Sequence, residues 1–276
     1  MGKFLERIYK DIKNLKIQGS QAVGEAAIQA WIKEKDKDEV VKKLWNVRPT
    51  EPFLRNILRY LKNFGEPENL IKKLESDKEK ISDFASKKIK SGMVVYTHCH
   101  SSSVVRSLIK AKKKGKRFEV NVTETRPFFQ GRITAKELAK NGIKVTLFVD
   151  SAIKLALEKA DLMFIGADVI TSEGFIINKI GSGAFADLAN KRGIPVYVIT
   201  HSWKFEPESL KGFEEEIEKR SEKEVWRNKP KNVRICNFVF EKIDANLITG
   251  IISELGVFRP EVFVEEVKKT YEWLIR

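Results

Sequence analysis

The chain has 276 residues, with 52 Lys and Arg against 38 Asp and Glu, for a formal net charge of +14. That length accommodates a helical unit and an α/β unit, each with its own apolar core and neither in need of a metal or a disulfide staple. Two cysteines, a charged opening stretch (residues 1–7) and the lack of any apolar run near the ~20 residues of a membrane span exclude a disulfide scaffold and an integral membrane protein, and predict a cytoplasmic one.

Met1-Gly2 invites a lipidation reading, but Glu6 stands where the myristoylation pattern wants Ser or Thr. Over residues 4–15, Phe4, Leu5, Ile8, Ile12 and Leu15 recur at three- and four-residue steps, which predicts a helix with one buried stripe. Residues 21–33, 39–45 and 53–64 predict three more, punctuated by Pro49, Pro52 and Gly65-Glu66-Pro67. Residues 68–90 predict one or two further helices, so residues 1–90 read as a helical N-terminal domain.

At Ser91-Gly92 the period changes. Residues 93–97 form a short, β-branched, nearly continuous apolar run, as expected of a strand buried on both faces. Similar runs recur at 118–123, 144–149, 162–165, 196–200 and 234–238, with helical segments at 104–114, 135–140, 152–158 and 183–191 between them. Such alternation predicts that residues 91–276 form a Rossmann-like α/β domain around a mostly parallel, doubly wound sheet. Residues 206–226 read as a charged surface excursion without chemistry, and 263–274 as a closing helix.

In an open parallel sheet, ligands bind beyond the carboxyl ends of the strands. The first run is followed there by Thr97-His98-Cys99-His100-Ser101-Ser102-Ser103, whose hydroxyls and backbone amides open a helix and suit an anion. After the second comes Thr123-Glu124-Thr125-Arg126-Pro127, and after the fourth Gly166-Ala167-Asp168. Then Asn178-Lys179-Ile180-Gly181-Ser182-Gly183 opens another helix, its glycines leaving room for a ligand beside the backbone, and Lys204 follows the fifth run.

These segments, together with Gln130-Gly131 and Arg48-Pro49-Thr50, resemble in order the motifs shared by two groups: the alpha, beta and delta regulatory subunits of translation initiation factor 2B, and the aldose-phosphate isomerases acting on methylthioribose 1-phosphate and ribose 1,5-bisphosphate. The resemblance implies Cys99 and Asp168 as catalytic residues. It implies a ligand site drawing on Gly19, Ser20, Arg48, Ser101, Ser102, Ser103, Arg126, Asn178, Lys179 and Lys204. Moving a carbonyl along an opened sugar requires one group that takes a proton and one that gives it, and burial beside a lysine is expected to bring the thiol and carboxyl toward neutrality.

Two departures stand out: Gln18 where the isomerases carry a phosphate-contacting arginine, and Ser102 where the bisphosphate isomerase has lysine. They lead to a first reading as a regulatory subunit acting on initiation factor 2 and retaining a sugar-phosphate or nucleotide pocket, with an aldose-phosphate isomerase as the alternative. No cofactor is expected. No metal is expected either: if His98, Cys99 and His100 continued the strand, their side chains would alternate and fail to converge, while His201 and Cys236 lack ligand spacing. The run 110–117, six of its eight positions Lys or Arg, reads as a solvated helix end rather than a nucleic-acid site. The apolar Val257, Phe258, Pro260, Val262 and Phe263 suggest a subunit interface, and the family resemblance implies a homodimer or a larger ring.

Overall fold

The computed structural model describes residues 2–275. Five helices come first: α1 (Lys3–Lys13), α2 (Ser20–Lys33), α3 (Lys37–Leu44), α4 (Pro52–Phe64) and α5 (Pro67–Lys88). Proline at the first position of α4 and α5 fits, because that position has no helical partner for an N–H anyway. α5 is one continuous helix.

The remainder alternates: β1 (Val94–His98), α6 (Ser102–Lys113), β2 (Glu119–Thr123), α7 (Gln130–Lys140), β3 (Lys144–Phe148), α8 (Ile153–Ala156), β4 (Leu162–Ile165), β5 (Val169–Ile170), β6 (Ile176–Lys179), α9 (Ser182–Lys191) and β7 (Val196–Ile199). Then follow β8 (Phe240–Ile243), β9 (Gly250–Ser253), β10 (Gly256–Phe258), α10 (Pro260–Thr270) and α11 (Glu272–Ile275). The seven-stranded sheet runs β10-β9-β7-β4-β1-β2-β3, parallel throughout except for β10. This is the doubly wound architecture the alternation predicts, with the order reversing between β1 and β4. A small antiparallel sheet, β5-β6-β8, lies beyond the carboxyl end of β4.

The sixth predicted strand, 234–238, is instead a loop that makes a single bridge from Phe238 to Lys219. Its exposed Arg234 and Cys236 cannot enter a sheet covered on both faces, whereas the four residues of β9 are all buried and take the sixth parallel position. Neither β9 nor the small sheet was expected.

One apolar cluster extends from Leu5 in α1 to Leu274 in α11 and includes the inner face of the large sheet. Helix α4 is fastened across this seam. Asn56 Nδ2 donates to the carbonyls of Trp203 and Phe205, both at 2.8 Å, and Tyr60, Trp203, Tyr271 and Trp273 stack with ring centroids 5.0–6.2 Å apart. On the other face α5 lies along α6, where Lys110 meets Glu79 (2.6 Å) and Asp83 (3.0 Å) and Lys114 meets Asp83 (2.7 Å). Much of the basic run is thus engaged inside the chain. The charged excursion is docked as well: Glu206, 1 % exposed, and Glu215 both pair with Arg55, and Glu218 pairs with Arg48 at 3.3 Å. A buried guanidinium needs counter-charge, and this segment supplies it.

Candidate active site

At the reversal between β1 and β4 a cavity of about 400 Å³ opens, roofed by the N-terminal helices. Cys99, the first residue after β1, has φ 66°, in the left-handed region that non-glycine residues rarely occupy. Its surroundings hold it there. Its N–H donates to Thr125 Oγ1 (3.0 Å) and its carbonyl accepts from the Thr134 hydroxyl (2.8 Å). Thr125 is left-handed too, at φ 63°, and Asp150 accepts from its N–H (2.8 Å) and from that of Arg126 (2.7 Å).

Next door, the His98 ring bridges the Thr123 hydroxyl (2.7 Å) and the Ile180 carbonyl (3.0 Å). A carbonyl only accepts, so Nε2 carries the proton and Nδ1 accepts. Burial drives the His98 pKa down to about 4, leaving the ring neutral near pH 7. His100 bonds Thr134 at 3.0 Å, so the hydrogen bonds of the two imidazoles go to Thr123, Ile180 and Thr134 rather than to the thiol.

Asp168 is positioned by its N–H, which donates to the Ile177 carbonyl (2.8 Å) and ties the turn after β4 to β6. Asn178 Nδ2 donates to Ser182 Oγ (2.9 Å), Lys179 Nζ lies 4.8 Å from the centre of the Phe240 ring, and Lys204 Nζ donates to the Ala167 carbonyl. Gly166 is required by close approach: a Cβ there would sit 2.8 Å from Ser101 Oγ. The half-buried Cys99 thiol is pushed up to about 11 by burial, with Lys179 pulling it down and Asp168 pushing it further up. It is therefore a protonated thiol at neutral pH, which corrects the expectation of a value near neutrality.

Of the residues singled out in the sequence, Gly19, Ser20, Arg48, Cys99, Ser101, Ser102, Ser103, Asp168, Asn178, Lys179 and Lys204 all line this one cavity. Arg126 is not among its lining residues; its guanidinium lies over the Phe129 ring (5.1 Å) and 3.5 Å from the Val225 carbonyl. Gln18 lines the cavity with its amide donated to the Leu15 carbonyl at 2.6 Å. Ser101 is occupied as the cap of α6, accepting from the Val104 N–H at 3.5 Å. The glycines opening α9 pack against the chain itself: a Cβ on Gly181 would meet Phe185 and His98, and the Gly183 N–H donates to Glu241 (2.7 Å).

Sequence reading missed Glu51, Lys78 and Arg220, all of which line the cavity. Lys78 sits in the 68–90 helical stretch, to which no site was assigned, and Arg220 in the excursion read as surface without chemistry. Glu51 follows Arg48-Pro49-Thr50 directly, the one local signal that was available. It is 5 % exposed, and burial raises its pKa against the opposing pull of Lys204, with Asp168 adding to the rise. Among the described residues one histidine–carboxylate cluster converges, Asp77, His201 and Glu254, contributed by elements far apart in the chain and invisible to local spacing.

A reversing parallel sheet with its cavity at the carboxyl edge, a left-handed cysteine after β1 and an aspartate after β4 together define the class. Residues 16–260 match the model of the initiation factor 2 subunit family, and the chain belongs to that family. It is 34% identical to the ribose 1,5-bisphosphate isomerase of Methanocaldococcus jannaschii, over 98% of this chain and 96% of that one. It is 32% identical to the methylthioribose-1-phosphate isomerase of Fervidobacterium nodosum (95% and 87% covered) and 29% identical to the putative translation initiation factor eIF-2B subunit 2-like protein of Pyrococcus furiosus (92% and 96% covered). Among solved structures, the Pyrococcus horikoshii OT3 translation initiation factor eIF-2B matches with a TM-score of 0.85 at 26% identity, covering 96% of this chain and 100% of that one.

Proposed function

We propose that this protein is an aldose-phosphate isomerase that converts a phosphorylated ribose to the corresponding ribulose, with Cys99 and Asp168 exchanging the protons. The observation that carries the reading is that Cys99, Asp168, Asn178 and Lys179, from three separate strand ends, share one cavity. Isomerisation needs a proton on the ring oxygen as the ring opens, loss of the C2 proton, gain of a proton at C1, and loss of the 2-hydroxyl proton as it becomes a carbonyl. Each proton given is matched by one taken, so two groups that alternate suffice. Cys99, protonated at neutral pH, gives. Asp168 takes.

Lys179 and the amide-rich start of α6, with Ser102 and Ser103, hold the phosphate. The identity to the isomerases of M. jannaschii and F. nodosum, 34% and 32%, against 29% to the putative initiation factor of P. furiosus, also favours catalysis over regulation and displaces our first reading from sequence. The test is direct turnover of ribose 1,5-bisphosphate, ribose 1-phosphate and methylthioribose 1-phosphate, followed by product analysis. We expect ketose formation, and a drop of about 10²–10⁴-fold in kcat for Cys99→Ser and Asp168→Asn. No ketose from any of the three overturns the reading.

A regulatory role on initiation factor 2 is the second reading, favoured by the similarity to the P. horikoshii eIF-2B structure and by the neutral Gln18. Co-sedimentation with initiation factor 2 at near-physiological salt tests it. We further propose that the protein works as a homodimer.

A further inference from the structure

We infer that the amino edge of the large sheet, opposite the cavity, docks the phosphate backbone of double-stranded RNA. Three turns lead there into β1, β2 and β3, which lie side by side. Residues 83–92, 110–119 and 136–144 hold twelve Lys and Arg against Asp83, Glu119 and Glu137, and so carry nine of the chain's formal charge of +14. The other 247 residues hold 40 Lys and Arg against 35 Asp and Glu, close to balance. Neither a surface of interspersed charges nor one cation closing each helix end concentrates charge in this way.

The run 110–117 alone reads as a solvated helix end, but the fold joins it to the other two. Lys116 Nζ donates to the carbonyls of Ser86 and Ile89 (both 2.6 Å), the Gly92 N–H donates to the Arg117 carbonyl (2.7 Å), and Lys112 Cε lies 3.7 Å from where a Cβ on Gly142 would stand. Adjacent strands are about 4.8 Å apart, so the three turns gather their cations within roughly 10 Å across the sheet. Asp83 pairs with Lys110 and Lys114, and Glu119 with Lys144. The exposed Lys87, Lys90, Lys113, Arg117 and Lys140 have no carboxylate partner among the described residues. Crowding is already felt at Lys116, whose pKa is lowered by burial and by the neighbouring Lys114. A protein partner would call for an apolar centre, and none of the large exposed apolar side chains falls in these segments. No exposed aromatic ring stands there for an unpaired base to stack on either. Short turns that cannot enter a groove contact backbone alone, the mode by which double-stranded RNA is held. The terminal carbonyls of α5, α6 and α7 face this edge and accept from a 2′-hydroxyl, a donor that DNA lacks.

Fluorescence anisotropy of a labelled RNA duplex of about 16 base pairs with the full-length protein tests this. Five phosphate contacts predict an affinity that falls about 10²–10³-fold between about 50 and 200 mM salt. The triple variant Lys90→Glu, Lys113→Glu, Arg117→Glu should bind at least about tenfold more weakly. The triple variant Lys35→Glu, Lys72→Glu, Lys269→Glu, an equal charge change at exposed cations elsewhere, should bind nearly as the wild type does. Excess ribose 1,5-bisphosphate, directed to the cavity, should leave the RNA in place. Absence of binding at low salt, an equal loss in both triple variants, displacement by the sugar phosphate, tighter binding of a DNA duplex of the same sequence, or a preference for poly-glutamate over RNA overturns the inference. None of these readouts depends on turnover, so the isomerase reading stands or falls separately.

Discussion

At the scale of single residues, the decisive feature is the backbone of Cys99. Its φ of 66° puts it beyond the pleat of β1, so the side-chain alternation assumed for residues 98–100 stops at His98, the last residue of the strand. The strained conformation is maintained by Thr125, Thr134 and, through Thr125, Asp150. One consequence is measurable. With its thiol raised to about 11, Cys99 is expected to react only very slowly with iodoacetamide at pH 7, and its labelling rate to rise with pH toward that value. Peptide mass spectrometry should find the exposed Cys236 alkylated first at pH 7. Equal labelling of the two cysteines at neutral pH would contradict the raised pKa of the Cys99 thiol.

At the scale of elements, the joint between α5 and the carboxyl ends of β7 and β9 is electrostatic. His201 Nδ1 accepts from the Trp203 N–H (3.1 Å), so its Nε2–H donates to Asp77 (3.2 Å), which also receives Lys73. Glu254 completes the group by accepting from the Ser202 N–H (3.1 Å) and the Tyr271 hydroxyl (3.0 Å). Every member is engaged within the protein, so the cluster works as a clasp. Burial alone would raise the pKa of Asp77, but hydrogen bonds from His201 and Lys73 hold it below the ordinary aspartate value. A carboxyl depressed in the folded state contributes stability above its unfolded pKa and loses it as pH falls through the folded one. Asp77→Asn should therefore cost about 3 kcal/mol in denaturant melts at pH 7, with the gap to the wild type closing below about pH 4. A gap independent of pH would show that Asp77 acts through packing alone.

For the whole molecule, the apolar residues near the C-terminus divide in two. Phe263 and Pro260 belong to the chain's own core, whereas Val257 and Val262 remain exposed at 36% and 48%. A second exposed apolar set, Leu147, Val149 and Leu155, flanks the sheet edge at β3. Patches of this kind suit association with a second copy, and light scattering is expected to return twice the mass of one chain, 31.7 kDa; a monomer mass would count against the proposed dimer. We also keep as a proposal that residues 1–90 and 91–276 are the two folding units. Their shared apolar cluster and the Asn56 bonds to Trp203 and Phe205 mean that the cavity is complete only when both are folded. Among the described residues no helix is long and apolar enough to cross a membrane.

The alternation of helical and β-branched runs was enough to specify the doubly wound sheet, because periods of 3.6 and 2 residues are written into local burial demands. The strand-end rule likewise led to Cys99 and Asp168, since topology carries the carboxyl ends of the parallel strands to one edge, whereas Asn178-Lys179, on β6 of the small antiparallel sheet, was legible only as a helix opening and through the family resemblance. Contacts between distant segments were out of reach of such reasoning. Whether Lys78 or Arg220 faced solvent or the cavity, and whether Glu51 was paired, depended on how α2, α5 and the 206–226 excursion pack against the sheet. Charge is local in the sequence, but its partners are chosen in three dimensions: the same excursion that reads as solvated surface is pulled inward by Arg55. The Asp77–His201–Glu254 clasp, drawn from positions up to 177 residues apart, exists only once the chain has closed on itself.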